Sequence, residues 1–457
     1  MTAPEAFVSH ALTTRFEDLP DKTVAAAKTF IVDTFAVGIA GSGAPGVSAV
    51  RDAAKRMGGL NGSAKVWGRD TFATTPHAAA FANGFQIHCQ EYDCVHEPAV
   101  VHPMATIFAA LMAEADAKSG VSGKDLITAV AVAVDIAAGL GLAAKTPLKF
   151  FRPATAGVFG ATLGVARLRG LSSEQALDAM GLALGQCSGT MQAHLEGTPA
   201  LPVQIGNAAR AAHLACDLAE AGLKGPHDSL EGPFGYLTLM EDAWDMAPVL
   251  SSLGTDWRIA QISHKPFPTG RAAQGGIVLI KQLLERGLNV EKLASLELTA
   301  PPLIHRLVGR RPKPHMPVAY ARLCFAYLGA RCLMSGDVGL DDFSQDRLED
   351  PASSRLAENI NVVDNGDSDP AAFTPQIAKA TLVDGQTISV ETHALYGSPA
   401  DPMNVEAQHL KIRKCIEFGF GSAREDIAEG LISRIAELER EADVASLSQL
   451  AAGFKEA

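Results

Sequence analysis

The sequence lacks most of the signals that narrow a function quickly. None of its seven cysteines stands in a CxxC pair, the count is odd and the spacing is scattered. A disulfide framework is therefore not expected, and a reducing compartment is. Basic charge is in deficit: 39 Lys and Arg stand against 51 Asp and Glu, a formal net charge of −12. Nucleic acid as the main partner needs a basic footprint and is not expected. An anionic substrate would need a locally positive pocket. There is no HExxH motif, no internal repeat and no low-complexity tract. Residues 1–20 have no basic stretch followed by an apolar one, so no signal peptide is expected. The most apolar run, residues 127–144, is rich in Ala and Gly and carries Asp135 in its middle. A charge there is costly in lipid, so the run reads as a buried core helix rather than a membrane span. A cytoplasmic location follows as an expectation.

What is present is a folded composition: 457 residues, 47% hydrophobic and 20% charged, enough for two or three domains. Up to about residue 263 the pattern is helical. Residues 21–40, 103–118, 124–144, 173–184 and 207–221 carry apolar side chains at three- and four-residue spacing, separated by Gly-containing turns. Ser122 and Ser172 stand where a helix N-cap is expected. After His264 the character changes. Pro266, Pro268 and Gly270 break the pattern, a helix is expected over 272–286 and a strand over 292–300. Asp384-Gly385 between two β-rich runs reads as a hairpin. From Val405 the chain is helical again. The fold expected is mainly α: a large all-helical domain from both chain ends (1–265 and 397–457) with an inserted α+β lid domain (266–396).

Four stretches could carry chemistry. Within the fifteen residues 88–102 stand His88, Glu91, Asp93, His96, Glu97 and His102. Such a set could supply a general acid and base or hold a metal, or be a polar surface loop in which His102-Pro103 starts the next helix. The spacing matches no standard zinc pattern, and no metal is expected. His264-Lys265 and Arg271 flank the proposed domain boundary. A Lys there could bind a carboxylate or act as a base, or belong to a solvated hinge. The segment His305 to His315, with Arg306, Arg310, Arg311 and Lys313, is the most basic stretch, read either as a set of cations for an anionic substrate or as a surface loop. Arg152 before Pro153 and Thr155 is either a substrate contact or part of a capped helix start.

These residues together resemble the MmgE/PrpD family. The resemblance rests on Asn83-Gly84, His88, Glu91, Asp93, His96 and His102-Pro103, then Gly206-Asn207 with Arg210, Gly225-Pro226, Leu230-Glu231-Gly232, Lys265-Pro-Phe-Pro268, and Gly397 to Met403 with Glu406. The matches are collinear from Asp33 to Cys415. The resemblance implies a homodimer, no metal or organic cofactor, and a cleft site for a small di- or tricarboxylic acid. The reaction it implies is a lyase of 2-methylcitrate dehydratase type, by proton abstraction beside a carboxylate. An epimerase or decarboxylase using the same abstraction, and a non-catalytic carboxylate-binding protein, remain open alternatives. By similarity the catalytic set is Asp93, His102, Lys265 and Tyr327, and the substrate-binding set is Glu91, His96, Arg152, Gln204 and Arg271. This chain departs from its relatives at four positions. Cys94 replaces a second Asp, Arg152 a His, Leu201 a Lys and Gln204 a His. A fixed cation at Arg152 in exchange for the Lys replaced by Leu201 implies a different substrate.

Overall fold

In the computed structural model, which describes residues 1–369 and 371–454, the helices begin where the chain offers a cap. Ser122 accepts from Asp125 N (3.2 Å) at the head of Gly123–Ala143. Ser172 and Gln175 form a reciprocal box at the head of Ser173–Leu184, with Ser172 accepting at 3.2 Å and Gln175 at 3.0 Å. The helix expected over 207–221 runs from Ala200 to Glu220. It starts earlier than its periodicity suggests because Pro202 lies in the first turn, where a missing N–H leaves no bond unmade.

The apolar helix Gly123–Ala143 is long and apolar enough to cross a membrane by length and composition, as is Asp21–Gly41. In the fold it is packed inside the first core. Asp135 is fully buried within it and is satisfied by His10 Nε2 (3.0 Å) and the backbone N–H of Arg258 (2.8 Å).

Mainly α is right; the all-helical part of the expectation is not. Strands β1 (Ala64–Val66) and β2 (Phe72–Thr74) pair antiparallel within the segment expected to be purely helical. Three residues per strand are too few for a period-two signal, and their turn is set by Gly68 (φ 82) and Asp70 (φ 54). The larger sheet has the order β4-β3-β5-β6, with β3 Leu293–Ala300, β4 Ile360–Asp364, β5 Gln376–Leu382 and β6 Thr387–Thr392. Pairing is parallel for β3/β4 (Leu296 opposite Ile360) and antiparallel for β3/β5 (Leu296 opposite Ala380) and β5/β6 (Ala380 opposite Ile388). The hairpin turns at Gly385 (φ 86), with Gln386 N donating to Asp384 Oδ1 at 2.9 Å.

Buried apolar side chains gather in two large clusters. One draws on residues 3–262, Leu340 and residues 412–451; the other draws on residues 267–395. The expected boundaries are not strict, since Leu340 lies in the 266–396 segment yet packs in the first core. The helices Pro76–His88 and Ala200–Glu220 cross closely enough that a Cβ on Gly206 would meet Phe81 O at 2.3 Å. This crossing sets His88 and Leu201 beside one another. A Gly206→Ala substitution is therefore expected to destabilise by about 1–3 kcal/mol, read as a lower denaturant midpoint at unchanged slope.

Candidate active site

The helix Pro76–His88 ends in the middle of the molecule, and the chain doubles back to the helix Pro103–Lys118. Two residues of this connection with side chains, Glu91 (φ 50) and Val100 (φ 51), have left-handed backbone. That conformation costs free energy and persists only where the surroundings hold it. Glu91 N donates to His88 O (2.9 Å), and Lys265 Nζ donates to Glu91 O (3.3 Å). Val95 and Ser263 exchange both backbone bonds (3.0 and 2.8 Å), which lays the loop against the segment bearing Lys265.

Asp93 lies at the centre of what this loop builds. Its Oδ2 is 3.0 Å from His88 Nδ1 and 3.1 Å from His102 Nδ1. Lys265 Nζ stands 3.8 Å from Asp93 Oδ1 and donates to Glu91 Oε2 at 3.0 Å. The two imidazole rings meet edge to face, centroids 5.0 Å apart. Asp93 is 1% exposed and Lys265 0%. Buried charges of this kind persist only when paired.

The electrostatics separate the two histidines. Burial raises Asp93, but His88, His102 and Lys265 overcome it and hold the carboxyl well below its ordinary range. Burial also works against Glu91, yet Lys265, His88 and His102 bring it down to about 2. An ionised carboxylate only accepts hydrogen bonds, so each Nδ1 facing Asp93 carries the hydrogen. For His88, burial disfavours the charged ring, but Asp93 and Glu91 outweigh it and its pKa rises. For His102, burial and the nearby Lys265 outweigh Asp93, and its pKa falls. One carboxylate thus faces two imidazoles pushed apart, His88 toward the charged form and His102 toward the neutral form whose Nε2 carries a lone pair. His88 Nε2 is buried without a hydrogen-bond partner, 3.7 Å from Glu91 Oε1.

Two cavities, of about 240 and 70 Å³, meet at this cluster. His88, Glu91, His194, Leu201 and Leu323 line both, and His102 lines the smaller. Residues from both apolar clusters form the walls. Arg310 Nη2 donates to His194 O (3.1 Å), tying the short helix Gln192–Glu196 to the second cluster's side.

The other residues singled out from sequence lie elsewhere. Arg152 forms a bidentate pair with Glu241 (2.7 and 2.8 Å) and lines neither cavity. His96 accepts from Ala99 N (3.2 Å) and donates to Gln261 (3.1 Å), closing a turn; burial lowers its pKa to about 4. Gln204 holds the backbone of Thr190 from both sides. Tyr327 is buried in the helix Phe325–Ser335, its hydroxyl donating to Asp342 O. Arg271 lines the smaller cavity but is held by Glu97 (2.6 Å) and by the carbonyls of His264, Leu395 and Tyr396. Sequence marks His88 as a candidate acid, base or metal ligand and as part of the family motif, but leaves it out of the catalytic set. His194 carried no signal, because a single His between Ala193 and Leu195 reads as surface helix.

His88, Asp93 and His102 each offer one ligand atom, all within 4.8 Å of one another, the one such group of three among the described residues. Both imidazoles turn their Nδ1 toward the carboxylate, and the cation beside Asp93 is Lys265. The donors therefore already satisfy each other.

Residues 5–249 match the MmgE/PrpD N-terminal domain and residues 267–435 the MmgE/PrpD C-terminal domain. Among curated proteins, the cis-aconitate decarboxylase of Mus musculus is 26% identical, over 98% of this chain and 93% of its own length. The cis-aconitate decarboxylase of Homo sapiens is 26% identical over 95% and 91%. The cis-aconitate decarboxylase-like protein oryM of Aspergillus oryzae is 26% identical over 95% and 94%. With both domain matches in order and most of the sequence inside them, the chain belongs to the MmgE/PrpD family.

Proposed function

We propose that this protein is a lyase acting on a carboxylic acid through proton transfer at the carbon beside a carboxylate. The observation that carries the reading is Asp93 bonded to two imidazoles at the junction of two cavities, with surroundings that push the pKa of His88 up and that of His102 down. Groups whose surroundings push their pKa values apart mark an acid and a base. In this reading His102 Nε2 takes the carbon-bound proton, and His88 Nε2–H donates to the oxygen that gains charge or leaves. In a decarboxylation the same His88 proton goes to the carbanion carbon once carbon dioxide departs. Lys265 keeps Glu91 and Asp93 ionised and so fixes the states of both rings. The names of the relatives support cleavage of a carbon–carbon bond as one form of this chemistry, beside the dehydration that the motif resemblance implies.

The test is proton NMR in deuterated water with a panel of di- and tricarboxylic acids and their alkyl-substituted analogues. Loss of a C–H signal, with or without product, is the expected result. Binding of these acids without any exchange or turnover overturns the lyase reading in favour of a carboxylate-binding protein.

The pH profile is a second test. Activity needs neutral His102, so it falls as the pH drops through a value below the ordinary 6.5. It also needs charged His88, so it falls again as the pH rises through a value above 6.5. The expected kcat/KM profile is a bell with a broad top around pH 6.5. A rate that climbs steadily to pH 9 removes His88 from the role of acid.

A further inference from the structure

Resting on this reading of the site, we infer that the substrate carries an apolar substituent. The reacting carbon lies in the smaller cavity between His88 and His102, and the substituent fills the larger one. A compact tricarboxylate is the wrong shape and charge for this pocket.

The cluster holds His88 and Lys265 as cations against Glu91 and Asp93 as anions, so its own charges already cancel. Among the described residues lining the two cavities, Arg271 is the one with a fixed positive charge, and Glu97 with three backbone carbonyls has engaged it. Arg152, where a displaced substrate cation was expected, is neutralised by Glu241. Arg310, which lines a separate cavity and bonds His194 O, and Arg322, held by Gln90 and the Pro268 carbonyl, stand behind the walls, and neither lines either cavity. The side-chain donors left on the walls are few: the buried, unpartnered Nε2 of His88, the His194 ring and the Thr198 hydroxyl, a set that suits one carboxylate. A second or third carboxylate would meet no free cation on the cavity walls, which burial penalises.

The walls complete the case. Leu201 and Leu323 line both cavities, Phe85 and Pro202 the larger, and Phe151 and Leu307 the smaller. Leu201, at the position where the family resemblance places a lysine, thus puts an apolar side chain on the wall of both cavities. Each methylene moved from water to such a wall multiplies affinity about fourfold.

The decisive experiment is calorimetric titration of the full chain with succinate, 2-hexylsuccinate and cis-aconitate. The expected order is 2-hexylsuccinate at least tenfold tighter than succinate and than cis-aconitate. Leu201→Lys should shrink or reverse that preference, and Leu201→Thr, a milder change, should lower it less. Equal affinity for succinate and its hexyl derivative, tighter binding of cis-aconitate, or no binding of any of the three overturns the inference. Deuterium exchange separates this from the lyase reading. Exchange confined to unsubstituted acids leaves the lyase standing and sinks the apolar substituent. The expected affinity order with no exchange in cis-aconitate or its alkyl derivatives does the reverse.

Discussion

Asp93→Asn is expected to cut turnover by on the order of 10³–10⁴-fold while leaving the chain folded. The reason lies in what an amide can and cannot do. The Asp93 carboxylate accepts from His88 Nδ1 at 3.0 Å and His102 Nδ1 at 3.1 Å through the same oxygen, Oδ2. An Asn keeps one acceptor and gains two donors. If its oxygen faces the rings, it lacks the charge that sustains the His88 imidazolium. If its NH2 faces them, both Nδ1 atoms become acceptors, and the hydrogen moves to Nε2 of His102, which then has no lone pair for a proton. Either orientation disables one half of the pair. The measurement is kcat with the best acid from the exchange panel, alongside circular dichroism to confirm the fold. The effect should fall mainly on kcat, since Asp93 lines neither cavity and touches no substrate. A loss of less than tenfold removes Asp93 from the centre of the mechanism.

The sequence made the types of residue at this site readable, but not their partners. His88, Glu91, Asp93 and His102 are close in the chain, and a polar cluster between two apolar helices is a local pattern. Lys265 joins them from 174 positions beyond Glu91, and only the collinear family motifs pointed to it. Arg152 shows the opposite case. A lone arginine before a proline looks like an available cation until Glu241, 89 positions away, is found beside it. Tyr327 and Gln204 likewise have side chains whose roles are fixed by Asp342 and Thr190. For the fold, long helices with spaced apolar residues were readable to within a residue or two, except that Ala200–Glu220 starts seven residues before its expected 207. The pair β1/β2 is too short for any period, and edge strand β4 has mostly exposed side chains and pairs parallel with β3. Parallel pairing across a long connection leaves no hairpin signature.

The character of the pocket was the least readable feature. An acidic chain in a family of carboxylic-acid enzymes suggests a basic cavity. The structure has a charge-balanced cluster walled by leucine and phenylalanine instead. Leu201 marked a change in sequence, but whether its charge was lost or moved depended on Arg152, whose partner only the fold reveals.

Lys265→Met should have the largest effect on stability, about 3–5 kcal/mol at neutral pH, because it strands a buried pair of carboxylates. Lys265 Nζ is 3.0 Å from Glu91 Oε2 and 3.8 Å from Asp93 Oδ1, and it also holds the strained Glu91 carbonyl. The dependence on pH has a definite sign. Glu91 and Asp93 titrate lower in the folded chain than in the unfolded one. Their contribution to stability is therefore present above the ordinary carboxylate range and is lost as the pH falls through the folded values, about 2 for Glu91. Without Lys265 those folded values move up, and protonation relieves the stranded charges. The gap between native chain and variant should thus be widest near pH 7 and narrow toward pH 4, in urea melts at matched ionic strength. Adding Glu91→Gln to Lys265→Met should restore part of the loss, since the remaining carboxylate, Asp93, is then matched by His88. The two substitutions should then be strongly non-additive. A deficit below 1 kcal/mol that does not change with pH would mean that water reaches these groups. The cluster would then lack the dry surroundings on which the separation of His88 from His102 depends.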